Sequence, residues 1–122
     1  MKKIITLLCL IFITVSSFGQ QKKKRNAKLA FKVDGVCMEC KVRIEKAALN
    51  TKGVKYANWN LETHQLMVII DERKTDKKIV CQNVAKVGHD TKEIKATQED
   101  YEKLDACCRY RDEEVVKNHK KN

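Results

Sequence analysis

The sequence predicts an α+β fold, one antiparallel sheet with two helices packed on a single face, in the order strand, helix, strand, strand, helix, strand. Three observations carry this. Leu29, Phe31 and Val33 alternate with Lys28, Ala30 and Lys32 at the period of two that marks a half-buried strand. Ile44, Ala47 and Ala48, and later Ile79, Val80, Val84 and Val87, recur at helical spacing among charged residues. Between those helices lie two strand-like runs, 54–61 and 65–71, separated only by Glu62, Thr63 and His64, a hairpin-length connection. The resulting order is the ferredoxin-like βαββαβ sandwich, followed here by a short C-terminal helical extension.

Each element has its own punctuation. Asp34-Gly35 breaks the first strand, and the first helix is expected over 41–50, stopped by Lys52-Gly53. Val54, Tyr56, Ala57 and Trp59, with Leu66, Val68 and Ile70 of the next run, are expected on one covered sheet face. Thr75-Asp76 opens the second helix and Gly88 closes it. A last strand over 91–96 carries one large apolar residue, Ile94. Thr97-Gln98-Glu99-Asp100 reads as a helix start, with Tyr101 and Leu104 spaced to dock the helix on the domain and deliver Cys107-Cys108.

The chain has 122 residues and a formal net charge of +10. Met1-Lys2-Lys3, the apolar stretch 4–15 and the small residues of Ser16-Ser17-Phe18-Gly19 have the form of a cleaved signal peptide over 1–19. The expected destination is therefore outside the cytosol, in the periplasm. The apolar stretch is shorter than the roughly 20 residues of a membrane span, and no later segment approaches that length. Cys9 lies within it and leaves with the signal. Residues 20–27, with Lys22-Lys23-Lys24-Arg25, read as a flexible basic leader, since blocks of like charge repel and stay solvated. No aromatic platform accompanies that block, so nucleic-acid binding is not expected. Five cysteines remain after the signal, an odd number that cannot all pair within one molecule.

The chemistry concentrates in Cys37-Met38-Glu39-Cys40, between the first strand and the first helix. The second thiol is expected in the first helical turn, where unpaired N–H groups and the helix dipole lower a thiol pKa. Two close thiolates select soft ions such as Cu(I). Thiol–disulfide exchange uses a similar motif, but the redox fold that carries it sets a proline against the cysteine pair, and this chain has no proline. No acid–base or nucleophilic constellation is visible along the sequence, and the protein is not expected to be an enzyme.

The stretch 33–47, from Val33-Asp34-Gly35-Val36 through the cysteine pair to Lys46-Ala47, resembles the metal loop and first helix of the heavy-metal-associated domains. That family includes copper chaperones and periplasmic mercury-binding proteins. Lys52-Gly53-Val54, Asn60-Leu61-Glu62-Thr63 and Val87-Gly88-His89 match it further along, so the resemblance covers 28–96, with 97–122 as a double-cysteine extension. It implies the βαββαβ fold, Cys37 and Cys40 as metal ligands, and transfer to a metal-transporting or metal-receiving domain by ligand exchange. The family usually has Gly-Met-Thr before its first cysteine. This chain has only Gly35-Val36, a loop one residue shorter, and Val36 is the expected anchor beneath it.

Cu(I) is the expected cargo, with Hg(II), Ag(I) and Zn(II) as alternatives, and the protein is expected as a monomer or a metal-bridged dimer. In the family the residue after the second-helix glycine lies beside the metal, which makes His89 a secondary ligand candidate. Cys107 and Cys108 are further secondary candidates: they could complete a four-cysteine zinc cage with Cys37 and Cys40, bind a second ion, or form disulfides. Cys81 on the second helix reads as a small core hydrophobe. Met38 reads as a partner contact, and Lys41, Arg43, Lys46 and Lys86 as positive charge around the site.

Overall fold

The computed structural model describes Gly19 and residues 21–121. The signal-peptide reading of 1–19 falls, apart from Gly19, outside the described residues. Three strands, β1 (Ala27–Lys32), β2 (Val54–Trp59) and β3 (Gln65–Ile70), form an antiparallel sheet in the order β1-β3-β2. The register runs from Ala27 opposite Ile70 to Lys32 opposite Gln65. The central strand is also the most apolar. Leu66, Val68 and Ile70 point into the core and are fully buried. Helix α1 (Met38–Leu49) packs on β2 and on helix α2 (Lys77–Lys86). Ile44, Ala47 and Ala48 of α1 and Val80, Cys81 and Val84 of α2 join the same core cluster.

Most of the expected punctuation is present. The Asp76 carboxylate caps α2 by accepting from Ile79 N–H at 2.9 Å, and Gly88 ends it at a φ of +98°, a conformation that glycine adopts without steric cost. Three details differ from the sequence expectation. Helix α1 starts at Met38, so Cys37 becomes its extended N-cap residue and both cysteines belong to the helix start. A register irregularity between Val54 and Tyr56 turns Ala57 and Trp59 inward and leaves Tyr56 exposed.

The third difference concerns the last strand, which is reduced to a single bridge between Val33 and Thr91. The reason is local. Thr91 N–H and Oγ1 both bond the Ile94 carbonyl, Ile94 N–H returns to Thr91 Oγ1, and Ala96 N–H donates to the Asp90 carboxylate at 2.7 Å. These turn bonds engage groups that a ladder would need.

Beyond this turn the extension folds back on the domain. It comprises helix α3 (Gln98–Glu102), a 3-10 turn (Ala106–Cys108) and helix α4 (Glu113–Lys120). Thr97 caps α3 by accepting from Asp100 N–H at 3.1 Å, as the sequence suggested. Tyr101, Leu104 and Cys108 enter the core cluster. No helix among the described residues is long and apolar enough to cross a membrane.

Candidate metal centre

The loop that carries the cysteines is built on Trp59. Its indole is fully buried and donates from Nε1 to the Val33 carbonyl at 3.0 Å. A Cβ at Gly35 would lie 3.0 Å from the indole and 3.1 Å from Cys40 Cβ, so a glycine lets the loop settle directly on the ring. Val36, the expected anchor, packs against the core from a half-buried position, but Trp59 is the floor. The wall is polar: Glu45 accepts from Trp59 N–H at 2.9 Å and pairs with Lys41, whose ammonium also reaches the Trp59 carbonyl at 2.7 Å. Lys41 is thus committed to the scaffold rather than to the sulfurs.

On this floor Cys37 Sγ lies 3.2 Å from Cys40 Sγ and 3.1 Å from Cys108 Sγ. All three residues are buried. Cys107 is exposed; its sulfur is 3.9 Å from Cys108 Sγ and donates to Glu39 Oε2 at 3.2 Å. The ligand atoms of Cys37, Glu39, Cys107 and Cys108 all fall within 4.8 Å of one another. Three of these were singled out by the sequence, Cys40 joins them through its contact with Cys37, and Glu39 is an addition that the sequence reading did not make. His89 is not in that group. Its ring is fully buried, donates from Nδ1–H to the Asp34 carbonyl at 2.8 Å, and stacks on Tyr110 with centroids 5.5 Å apart. Its Nε2 has no hydrogen-bond partner among the described residues.

The electrostatics reverse one expectation. Burial pushes the Cys40 thiol up despite its place in the first helical turn, and it pushes Cys37 well above the usual thiol range, with the hydrogen bond to Cys108 acting in the same direction. Burial opposes the Cys108 thiolate too, yet the neighbouring Arg43 guanidinium and the surrounding thiols of Cys37, Cys40 and Cys107 outweigh it and bring that thiol down. Arg43 faces it as a neighbouring cation: Nη2 bonds Asp105 at 3.3 Å, and Nη1 is buried without an aligned partner. The Glu39 carboxylate raises Cys107 to about 11. Burial lowers His89 to about 4, which keeps the ring neutral. The donor set is soft, nearly dry and compact, which fits a thiophilic ion.

Sequence reasoning anticipated Arg43 as nearby charge and Cys81 as a buried core residue. It missed Trp59 as the floor and the clamp that holds the second cysteine pair. In that clamp Tyr110 Oη donates to the Gly88 carbonyl at 2.7 Å and accepts from Asp90 N–H at 2.9 Å. Arg111 pairs with Asp90 at 2.8 Å and lies over the Tyr101 ring at 4.2 Å. The only available signal was an aromatic and a cation directly after the cysteines.

No protein-family model matches the chain, and no curated protein sequence does. Solved structures do. The chain is similar to the CopZ metallochaperone, at 30% identity and a TM-score of 0.52, over 53% of this chain and 98% of that one. It is also similar to the Cu(I)-loaded N-terminal domain of a potential copper-translocating P-type ATPase from Bacillus subtilis, at 25% identity and a TM-score of 0.52, over 54% and 84% of the two chains. A copper-binding domain from HMA7, a P-type ATPase, shares the fold at 23% identity and a TM-score of 0.52, over 53% and 89%. With its sandwich fold and cysteine-bearing first loop, the chain belongs to the heavy-metal-associated domain family.

Proposed function

We propose that the protein captures a soft metal ion, natively Cu(I), between Cys37 and Cys40 and passes it to a metal-transporting domain by thiolate exchange. One observation carries this reading. Two thiols sit 3.2 Å apart at the start of α1, on a rigid indole floor and largely shielded from water. Similarity to a metallochaperone and to a Cu(I)-loaded transporter domain supports copper over zinc. The pattern of residues 1–19 supports a periplasmic workplace.

The steps follow from the thiols. As the ion bonds to Cys37 and Cys40, their protons leave to solvent, and burial of both thiols makes uptake weaken as pH falls. In transfer an incoming thiolate bonds to the ion, one cysteine–ion bond breaks, and the freed sulfur takes up a proton. No electron moves. The surface beside the loop suits a receiving domain: Met38 and Val42 are 58% and 63% exposed, beside Arg43 and Lys46 on the same helix. An exposed apolar patch with a charged rim of Glu39, Arg43 and Lys46 suits a protein partner with a complementary apolar contact.

The test is anaerobic reconstitution of the reduced protein with Cu(I), Ag(I), Hg(II) and Zn(II) in competition. The reading expects one Cu(I) per chain and little retained Zn(II). Selective retention of Zn(II) would overturn it in favour of a structural zinc site, and preferential Hg(II) binding in the presence of excess Cu(I) would reassign the cargo.

A further inference from the structure

The second cysteine pair has a more specific placement than a disordered tail would give it. Cys108 is fully buried and joins the core cluster, its sulfur 3.1 Å from Cys37 Sγ. Its carbonyl lies 4.0 Å from Cys40 Sγ, so Cys108 meets both cysteines of the loop. Four separate contacts hold that turn in place. Leu104 packs against Gly88, where a Cβ would come within 2.9 Å of it. Tyr110 is hydrogen-bonded on both sides of His89, to the Gly88 carbonyl and to Asp90 N–H. Arg111 reaches Asp90 and donates to the Ala96 carbonyl at 2.9 Å. His119 bonds the Cys107 carbonyl at 2.9 Å from the far side. Cys107, the preceding residue, points outward to Glu39 instead.

From this geometry we infer that the extension supplies Cys108 as a third sulfur ligand, converting the open two-cysteine loop into a closed three-sulfur site for a soft monovalent cation. The inference rests on the proposed capture of such an ion by Cys37 and Cys40. Each sulfur gives up its proton to solvent, if it carries one, and forms one bond to the ion. Three thiolates around a monovalent ion leave a surplus of negative charge, and the guanidinium of Arg43, which projects from α1 to pair with Asp105 beside the 3-10 turn and keeps a buried Nη1 free among the described residues, is the nearby cation that offsets that surplus. Cys107 is not one of the three. Its sulfur lies near those of Cys37 and Cys108, but the residue is exposed and engaged with Glu39, whereas the three chosen sulfurs belong to buried residues.

A closed site changes how the protein works. With two ligands, an incoming thiolate adds directly to the ion. With three, the bond to Cys108 must break as the new one forms, so the ion is held more tightly and leaves more slowly. The extension then acts as a retaining strap, and a partner that displaces it gains access to the cargo.

The test uses the full reduced chain loaded anaerobically with one equivalent of Cu(I). X-ray absorption on the unaltered protein is expected to count three sulfurs around copper, and two in Cys108→Ser. Competition with a chromophoric Cu(I) chelator is expected to show at least about a tenfold loss of affinity in Cys108→Ser, the lower bound for removing support from a metal site, with faster release. Cys107→Ser is expected to keep three sulfurs and the original affinity. Circular dichroism reports whether each variant is folded, and the sulfur count of the unaltered protein needs no variant at all. Two sulfurs in the unaltered protein, or three that survive Cys108→Ser, would overturn the inference while leaving capture by Cys37 and Cys40 intact. Failure of the unaltered protein to take up Cu(I) would remove the reading beneath it.

Discussion

The two cysteine pairs of this protein are held by opposite means. Cys37 and Cys40 sit on regular structure: a strand delivers the loop, a helix start fixes both sulfurs, and Trp59 supports them from below. Cys107 and Cys108 sit on a short 3-10 turn that follows a helix of only five residues, and side-chain contacts from Leu104, Tyr110 and Arg111 do the fixing. The first pair is positioned by the fold; the second is positioned by a clamp. Fold-positioned groups stay in place unless the core fails, whereas clamped groups depend on a few side-chain contacts that can be removed one at a time.

Perturbing each support separately breaks or sharpens that contrast. The largest effect is expected from Trp59→Ala, which removes the floor: about 3–5 kcal/mol of stability by denaturant unfolding, with loss of the Cys37–Cys40 geometry and of metal uptake. If uptake persisted, the indole would not be what holds the loop. The next is pH dependence through His89, buried between the domain and Tyr110. Its folded pKa of about 4 lies below the ordinary value near 6.5, so the unfolded chain binds the proton first as pH falls. Its stability contribution is complete above pH 6.5 and is lost progressively towards pH 4, by about 3 kcal/mol in total. Urea unfolding of the metal-free protein across that window measures the slope, and His89→Phe should flatten it.

Arg111→Met targets the clamp alone. It leaves the Asp90 carboxylate with the Ala96 N–H but without its cation, and a cost of about 1.5–3 kcal/mol is expected, the range for a hydrogen bond to a charged group. The strap should loosen while the sheet stays intact, so hydrogen exchange should rise at residues 106–111 and remain slow in β3. Equal acceleration in both would show that the two regions unfold as one. The smallest effect belongs to Asp76→Ala at the start of α2, about 1 kcal/mol from loss of the cap. That helix end is remote from both cysteine pairs in sequence, and Cu(I) affinity should not change.

The contrast also explains what could be read from the sequence. Alternation in 28–33 and 65–70 and helical spacing around Ile44 and Val80 are periodic signals, and they located β1, β3 and both helices of the sandwich, whereas the strand expected over 91–96 is reduced to a single bridge. That strand fails because Thr91 and Ile94 close a turn upon themselves, a side-chain competition that apolar spacing does not report. The pairing of Cys37 with Cys40 was legible because both lie on one loop. The meeting of Cys37 with Cys108 was only one of several alternatives for the second pair, because it bridges 71 positions and depends on where a non-periodic segment docks. Helix position likewise suggested a lowered Cys40 pKa, whereas burial, a property of the assembled fold, raises it.

The most direct measurement is Cu(I) uptake by the fully reduced protein beside the Cys37→Ser/Cys40→Ser double variant, under a chelator that holds any loosely bound ion. One equivalent retained by the unaltered protein and none by the folded double variant is the predicted result. Equal retention by both, or none by either, contradicts the assignment of these two sulfurs as the gripping pair.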